Sequence, residues 1–385
     1  MKRIFTLLLC GVLATPALLA QSPLTSYELE REMPLFLDQL KEELTYPLAW
    51  GNAPTTNFDA WRTQARAAVY DAMLTPPPPV TNHEMKVVAE ERRDGYRAQK
   101  VSFRLSAYSK VNGYLLIPDG EGPFPAVLLL HDHGGHYTIG KEKMIRPFDV
   151  PDEVIADADA WAKQCYGGQY VGDYLAKQGY VVFCTDALFW GERGRKEGKL
   201  PKDGSHLSEV AGNLYMLGRS LSGFMSYDDT YAAHFLSTLP CVDASRVGCM
   251  GFSMGAYRAW MLTALTDRVK AGVAVCWMVT TDTQLSWESG RVERGGFANQ
   301  LPGIRRYLDY PHIASVACPK PMFFLSGEHD KLFPPEGVNN SFDIMRKVWD
   351  SQNAGECLRT ELWDMPHDCG IKVQAAVLEF LKKWL

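Results

Sequence analysis

The sequence lacks the features that would commit it to a membrane, a nucleic acid or a structural metal. Beyond the N-terminal run, no apolar stretch approaches the roughly 18 residues needed to cross a bilayer, so stable membrane insertion is not expected. Forty basic residues stand against 45 acidic ones, a net charge of −5, so nothing attracts a polyanion and nucleic acid is not expected as a partner. Nine cysteines occur without a single C-x-x-C pair, which removes zinc-ribbon and dithiol redox chemistry. Cys184, Cys249 and Cys276 fall in apolar, strand-like runs and read as buried free thiols. There is no internal repeat, no low-complexity tract and no signal for an oligomeric state. What remains is an ordinary globular chain, 385 residues and 46% hydrophobic, with ample material for one large core and an additional segment.

The N-terminus is less ordinary. Lys2 and Arg3 precede an apolar run over 4–13, and the following stretch ends in Ala20 before the polar Gln21. A charged n-region, a short h-region and a small-residue cleavage site read as a signal peptide over 1–20, with the mature chain exported to the periplasm or secreted. Cys10 lies in the run but follows Leu9, where lipid attachment would need a small residue.

Helical periodicity over 27–44 and 58–74, stopped by Pro76-Pro77-Pro78-Pro79, predicts a helical N-terminal extension over 21–95. Neither helix can bury its apolar face alone, so both are expected to pack on the main domain, 96–385. A hairpin follows, 85–91 and 97–105 about Asp94-Gly95. Beyond it, apolar strands at 125–130, 180–185, 271–276, 321–325 and 358–363 alternate with helices. That alternation predicts an α/β fold, a mostly parallel central sheet with helices on both faces. Long connections over 136–168, 190–226 and 277–319 follow strands on the side where such sheets place their sites. They carry Trp161, Trp190, Trp277 and Trp287, and of these Trp190, Trp277 and Trp287 are candidate substrate-stacking residues; packing the loops onto the core is the competing use of the same rings.

The chemistry centres on Gly251-Phe252-Ser253-Met254-Gly255, placed between an apolar strand and a helix-forming run. A G-x-S-x-G turn in that context lifts the serine hydroxyl above the sheet edge and aims the next N–H, that of Met254, at a forming oxyanion. Asp330, in S-G-E-H-D after a later strand, is placed to hold an imidazole in one tautomer, with Glu328 as the rival acid. His367, in M-P-H-D-C-G between the last strand and helix, is the candidate general base. A second oxyanion donor is expected just after the strand ending at Leu130, from the N–H of His133 or of Asp132.

Two other patterns in that turn lose on chemistry. His131, His133 and His136 have an H-x-H-x-x-H spacing, but Gly135 stands where a binuclear zinc site needs an acid, so no metal is expected. Residues 135–141 fit G-x-x-x-x-G-K, yet Glu142 replaces the Ser/Thr that would hold magnesium, and its carboxylate would repel phosphate.

With these residues in place the chain resembles the α/β-hydrolase superfamily, and within it the secreted bacterial acetyl-xylan-esterase-like and dienelactone-hydrolase-like branch. The motifs behind this are P-A-V-L-L-L-H-D-H-G-G, D-A-L-F-W-G-E-R-G from Asp186, G-F-S-M-G, G-E-H-D and M-P-H-D-C-G. The resemblance covers residues from about 96 to the C-terminus; the paired N-terminal helices resemble the extension of esterases tied to bacterial polysaccharide use. It implies a Ser253–His367–Asp330 triad, a carbohydrate ester as substrate and no cofactor. A serine peptidase of the prolyl-oligopeptidase type is the enzymatic alternative, and a non-catalytic carbohydrate-binding relative the other.

Overall fold

The computed structural model describes residues 28–30, 33–194, 205–287 and 296–385. The expected signal peptide lies outside the described residues. A short ladder of β1 (Leu29–Glu30) and β2 (Met33–Pro34) precedes α1 (Leu37–Glu42), so the first helix is shorter than its periodicity predicts. Pro34 accounts for the late start, since a proline in a helix interior removes a hydrogen bond and clashes with the preceding turn. The second helix, α2 (Phe58–Met73), forms where expected, capped by the Asn57 side chain on the Ala60 N–H.

Nine strands build the main sheet: β3 (Lys86–Arg93), β4 (Tyr96–Arg104), β5 (Lys110–Pro118), β6 (Phe124–Leu130), β7 (Val181–Thr185), β8 (Val242–Phe252), β9 (Ala271–Val275), β10 (Met322–Gly327) and β11 (Leu358–Trp363). Their order is β11-β10-β9-β8-β6-β7-β5-β4-β3. The six from β6 to β11 along the chain run parallel, and β5, β4 and β3 continue the sheet antiparallel. The 86–93 strand, grouped with the extension on its sequence position, is the outer strand of this sheet.

The central strands are apolar on both faces because both are covered. Val127 and Leu129 of β6 join the cluster under α4 (Val171–Lys177) and the C-terminal helix. Ala126, Leu128 and Leu130 join that under α6 (Leu221–Ser237) and α7 (Met254–Leu265). The long connections carry helices that periodicity did not reveal, among them α3 (Asp152–Cys165) and α5 (Ser205–Met216). The chain closes with α8 (Thr281–Gln284), α9 (Tyr310–Ser315), α10 (Pro335–Ser351) and α11 (Ile371–Trp384).

The extension shares the core of the main domain. Trp61, Ala65, Val69 and Met73 of α2 pack in one cluster with Trp260, Met261 and Ala264 of α7. Among the described residues, no helix is long and apolar enough to cross a membrane.

Candidate active site

Four parallel strands end on one edge of the sheet, and each delivers part of the site. β8 lies between β6 and β9, so the turn after it emerges at the middle of that edge. Ser253 sits there with φ 55° and ψ −124°, a region that costs a non-glycine residue on the order of 1–3 kcal/mol. The two glycines make this backbone possible. A Cβ on Gly251 would come 2.0 Å from the Gly255 carbonyl oxygen, and one on Gly255 would come 1.8 Å from that of Leu130. Ser253 occupies the N-cap position of α7, but its hydroxyl makes no capping bond. Its carbonyl starts the helix, accepting from the Ala256 and Tyr257 N–H groups. Met254 opens α7, so its N–H has no partner within the helix.

Beyond β10, Asp330 is buried and its Oδ1 accepts the Leu332 N–H at 2.8 Å. Its Oδ2 is 2.6 Å from Nδ1 of His367, which the loop after β11 brings alongside. A buried carboxylate beside an imidazole accepts, so Nδ1 carries the proton and Nε2 keeps its lone pair. The His367 ring lies 4.7 Å from that of Phe252, the residue before Ser253. Gly327 lets β10 and this loop close together, because a Cβ there would meet the Met365 carbonyl oxygen at 2.3 Å. Glu328, the rival acid, is exposed and its backbone bonds to Trp363 instead. The neighbouring His329 is also exposed and pairs with Asp364.

Cys276 lies beside the pair: its Sγ, an Asp330 oxygen and a His367 nitrogen all fall within 4.8 Å of one another. Burial and then the Asp330 charge hold this thiol protonated, well above the usual cysteine range.

The turn after β6 packs against the elbow, and its histidines diverge. His131 is buried and accepts the Ala187 N–H on Nε2 while Nδ1 donates to the Asp132 carbonyl, so it is a neutral internal strut. Burial, then the charges of Arg258 and Lys143, hold its pKa far below normal. His133 accepts the Gly135 N–H on Nδ1, and burial followed by the Lys143 charge lowers its pKa to about 4. His136 pairs with Asp157 and stacks on Trp161. The three rings do not converge on a common point. Nor is the G-x-x-x-x-G-K stretch a phosphate cradle, since a Cβ on Gly140 would already meet Asp186 Oδ1 at 2.3 Å.

Of the candidate stacking residues, Trp190 and Trp277 are buried, at 0% and 2% exposure, and turn no ring face to solvent. Trp190 donates from Nε1 to the His133 carbonyl, and Trp277 packs on Tyr257, Tyr310 and Phe333. Only Trp287 of the three is exposed, at 38%. Sequence reasoning missed the buried lysines of this region. Lys141 is held by Glu142, Asp186 and Glu192, and Lys143 contacts the 132–133 backbone. Burial would discharge Lys141, but its three carboxylates outweigh that and keep it charged.

A strand–elbow–helix at the centre of a mostly parallel sheet, with an acid and a histidine after the later strands, defines the α/β-hydrolase fold. The chain belongs to the Abhydrolase family, whose sequence profile matches residues 34–348, helical extension included. A Bacillus subtilis (strain 168) protein, YtaP, assigned as a hydrolase, is 30% identical over 297 residues, 77% of this chain and 90% of its own length. Among solved structures, a Bacteroides fragilis NCTC 9343 protein assigned as an acetyl xylan esterase matches with a TM-score of 0.68 and 19% identity, over 88% of this chain and 84% of its own. Methylesterase BT1017 matches at 0.58 and 18%, over 89% and 68%. A glucuronoyl esterase from Solibacter usitatus matches at 0.59 and 16%, over 86% and 95%. At these identities the likeness is one of fold.

Proposed function

We propose that this chain is an exported serine carboxylesterase that deacetylates or otherwise de-esterifies a plant-type polysaccharide or oligosaccharide. The observation that carries the reading is the 2.6 Å Asp330–His367 pair, whose imidazole lies against Phe252, the residue before a strained serine whose hydroxyl is left out of the helix cap. The fold neighbours bear esterase names, two of them naming carbohydrate esters, and this supports the substrate class.

In this reading Ser253 Oγ attacks the ester carbonyl carbon as its proton passes to Nε2 of His367. The Met254 N–H and an N–H of the turn after β6 hold the oxyanion. The tetrahedral intermediate collapses, the alcohol leaves with the proton from His367, and water, activated by the same base, releases the acid and regenerates Ser253. Asp330 holds the imidazole tautomer throughout and stabilises its cation. Trp287, the exposed one of the three candidate tryptophans, is the one left to stack on a sugar.

Purified protein with Ser253→Ala should lose at least about 10⁴-fold in kcat toward nitrophenyl acetate. Retained hydrolysis would remove Ser253 as the nucleophile. Acetylated and methyl-esterified glycans, assayed side by side, identify the ester. Trp287→Ala should raise KM on the glycan while leaving nitrophenyl acetate turnover unchanged.

A further inference from the structure

Lys143 is fully buried, yet two of its three close contacts are to main-chain oxygens. Its Nζ donates to the Asp132 and His133 carbonyls, each at 3.0 Å, and lies 3.3 Å from Asp132 Oδ1. Those contacts use all three ammonium protons. A buried ammonium is costly, and an apolar side chain of the same length would fill the same volume. Burial lowers the pKa of this ammonium while the Asp132 carboxylate opposes that loss, and what the group holds is the turn.

A trans peptide is planar, with its C=O and N–H pointing in opposite directions. Drawing the Asp132 and His133 carbonyls onto one ammonium turns the N–H groups of His133 and Gly134 to the other side of the chain. The same carbonyls have secondary support. His131 Nδ1–H reaches that of Asp132, and the Trp190 indole and the His136 N–H reach that of His133. Gly134, at φ +62°, allows successive N–H groups to face one concavity, as in anion-binding nests. This turn borders the elbow. Gly255 closes on the Leu130 and His131 carbonyls, and Trp190, which contacts both the His131 and His133 rings, clusters with Met254.

We propose that Lys143 is the positioning residue of the oxyanion hole: by pinning two carbonyls it aims the His133 and Gly134 N–H groups at the oxyanion formed when Ser253 attacks. The proposal rests on the serine-esterase reading above. It also selects His133 over Asp132 as donor, because the Asp132 N–H belongs to the preceding peptide, which Lys143 does not hold.

The test introduces Lys143→Met into Asp132→Asn, so that no buried carboxylate is stranded, and uses Asp132→Asn alone as reference. Thermal melts establish that both are folded. Relative to the reference, kcat on nitrophenyl acetate should fall about 100-fold with KM within about threefold. Affinity for phenylboronic acid, whose serine adduct carries an anionic oxygen, should fall by the same factor. A Lys143 that only stabilises the fold would lower the melting temperature and leave kcat and boronate affinity at the reference value, and that result overturns the proposal. If the double variant does not fold, Lys143→Arg keeps the charge but displaces its donors. A loss of about tenfold or more in kcat is expected of it, and full kcat overturns the proposal. Ser253→Ala is run in parallel. If it stays active, the serine reading itself fails; if it is dead while the lysine variants keep full kcat, only the role of Lys143 fails.

Discussion

Asp330 and Glu328 stand two residues apart, and burial and reach separate them. Asp330 is enclosed and bonded to His367, whereas Glu328 faces solvent. Asp330→Asn should therefore lower kcat by about 10⁴-fold through loss of the imidazole tautomer, while Glu328→Gln stays within about twofold; steady-state kinetics on one small ester compares them. The elbow glycines make an equally sharp residue-scale case. In Gly255→Ala the new methyl would stand 1.8 Å from a backbone oxygen that cannot move without shifting β6. We expect a loss of more than about 3 kcal/mol in urea unfolding, together with loss of activity. For pH, the proposed mechanism needs a neutral imidazole as base, so kcat/KM is expected to fall in acid. His131, held far below normal by burial, and His133, at about 4, add no protonation step of their own above that value. The acid limb should thus have unit slope; a slope of two would implicate a second group.

At the scale of elements, the relation between α2 and α7 explains why the extension belongs with the main domain. The last carbonyls of a helix have no intrahelical partner, and those of α7 are met from outside the helix. Arg66 Nε donates to the Ala264 carbonyl, the Tyr70 hydroxyl to that of Leu265, and Lys320 Nζ to that of Thr266. The helix that begins just after Ser253 is thus tied at its far end by α2. Arg66→Ala should cost about 1–3 kcal/mol and Tyr70→Phe about 1 kcal/mol in urea unfolding, with kcat unchanged in the folded protein. An equal loss of kcat would mean that α2 also sets the elbow geometry.

Over the whole molecule, several histidines are buried in neutral form. His131 lies far below its ordinary pKa, and His133 and His312 are each held at about 4, all chiefly by burial. When the folded-state pKa is lowered, the unfolded chain binds the extra protons between that value and about 6.5, so stability falls as pH falls through that window. The melting temperature should drop steadily from pH 6.5 toward 4, and replacing His312 with Asn should flatten the fall. A melting temperature independent of pH across that range would show these side chains to be more open than their packing here.

Much of this protein is local in origin. The elbow with its glycines, the order Ser253, Asp330, His367, the parallel strands and α2 could be read from the chain because turn sterics and periodicity act over a few residues. The first helix starts late where Pro34 intervenes and ends at Glu42, short of its periodicity. The helices α3 and α5 were hidden because loop-like composition does not reveal which face will find a core. What side chains do at a distance was decided by tertiary contacts. Trp190 had the composition of a sugar platform, but its indole meets the His133 carbonyl 57 residues away and is sealed inside. Lys143 lies two residues beyond the G-x-x-x-x-G-K stretch, and its role is set by two carbonyls of a turn 10 and 11 residues earlier. Sequence determined where the reacting groups could arise; only the fold, by burying some polar groups and pairing others, decided what each one faces.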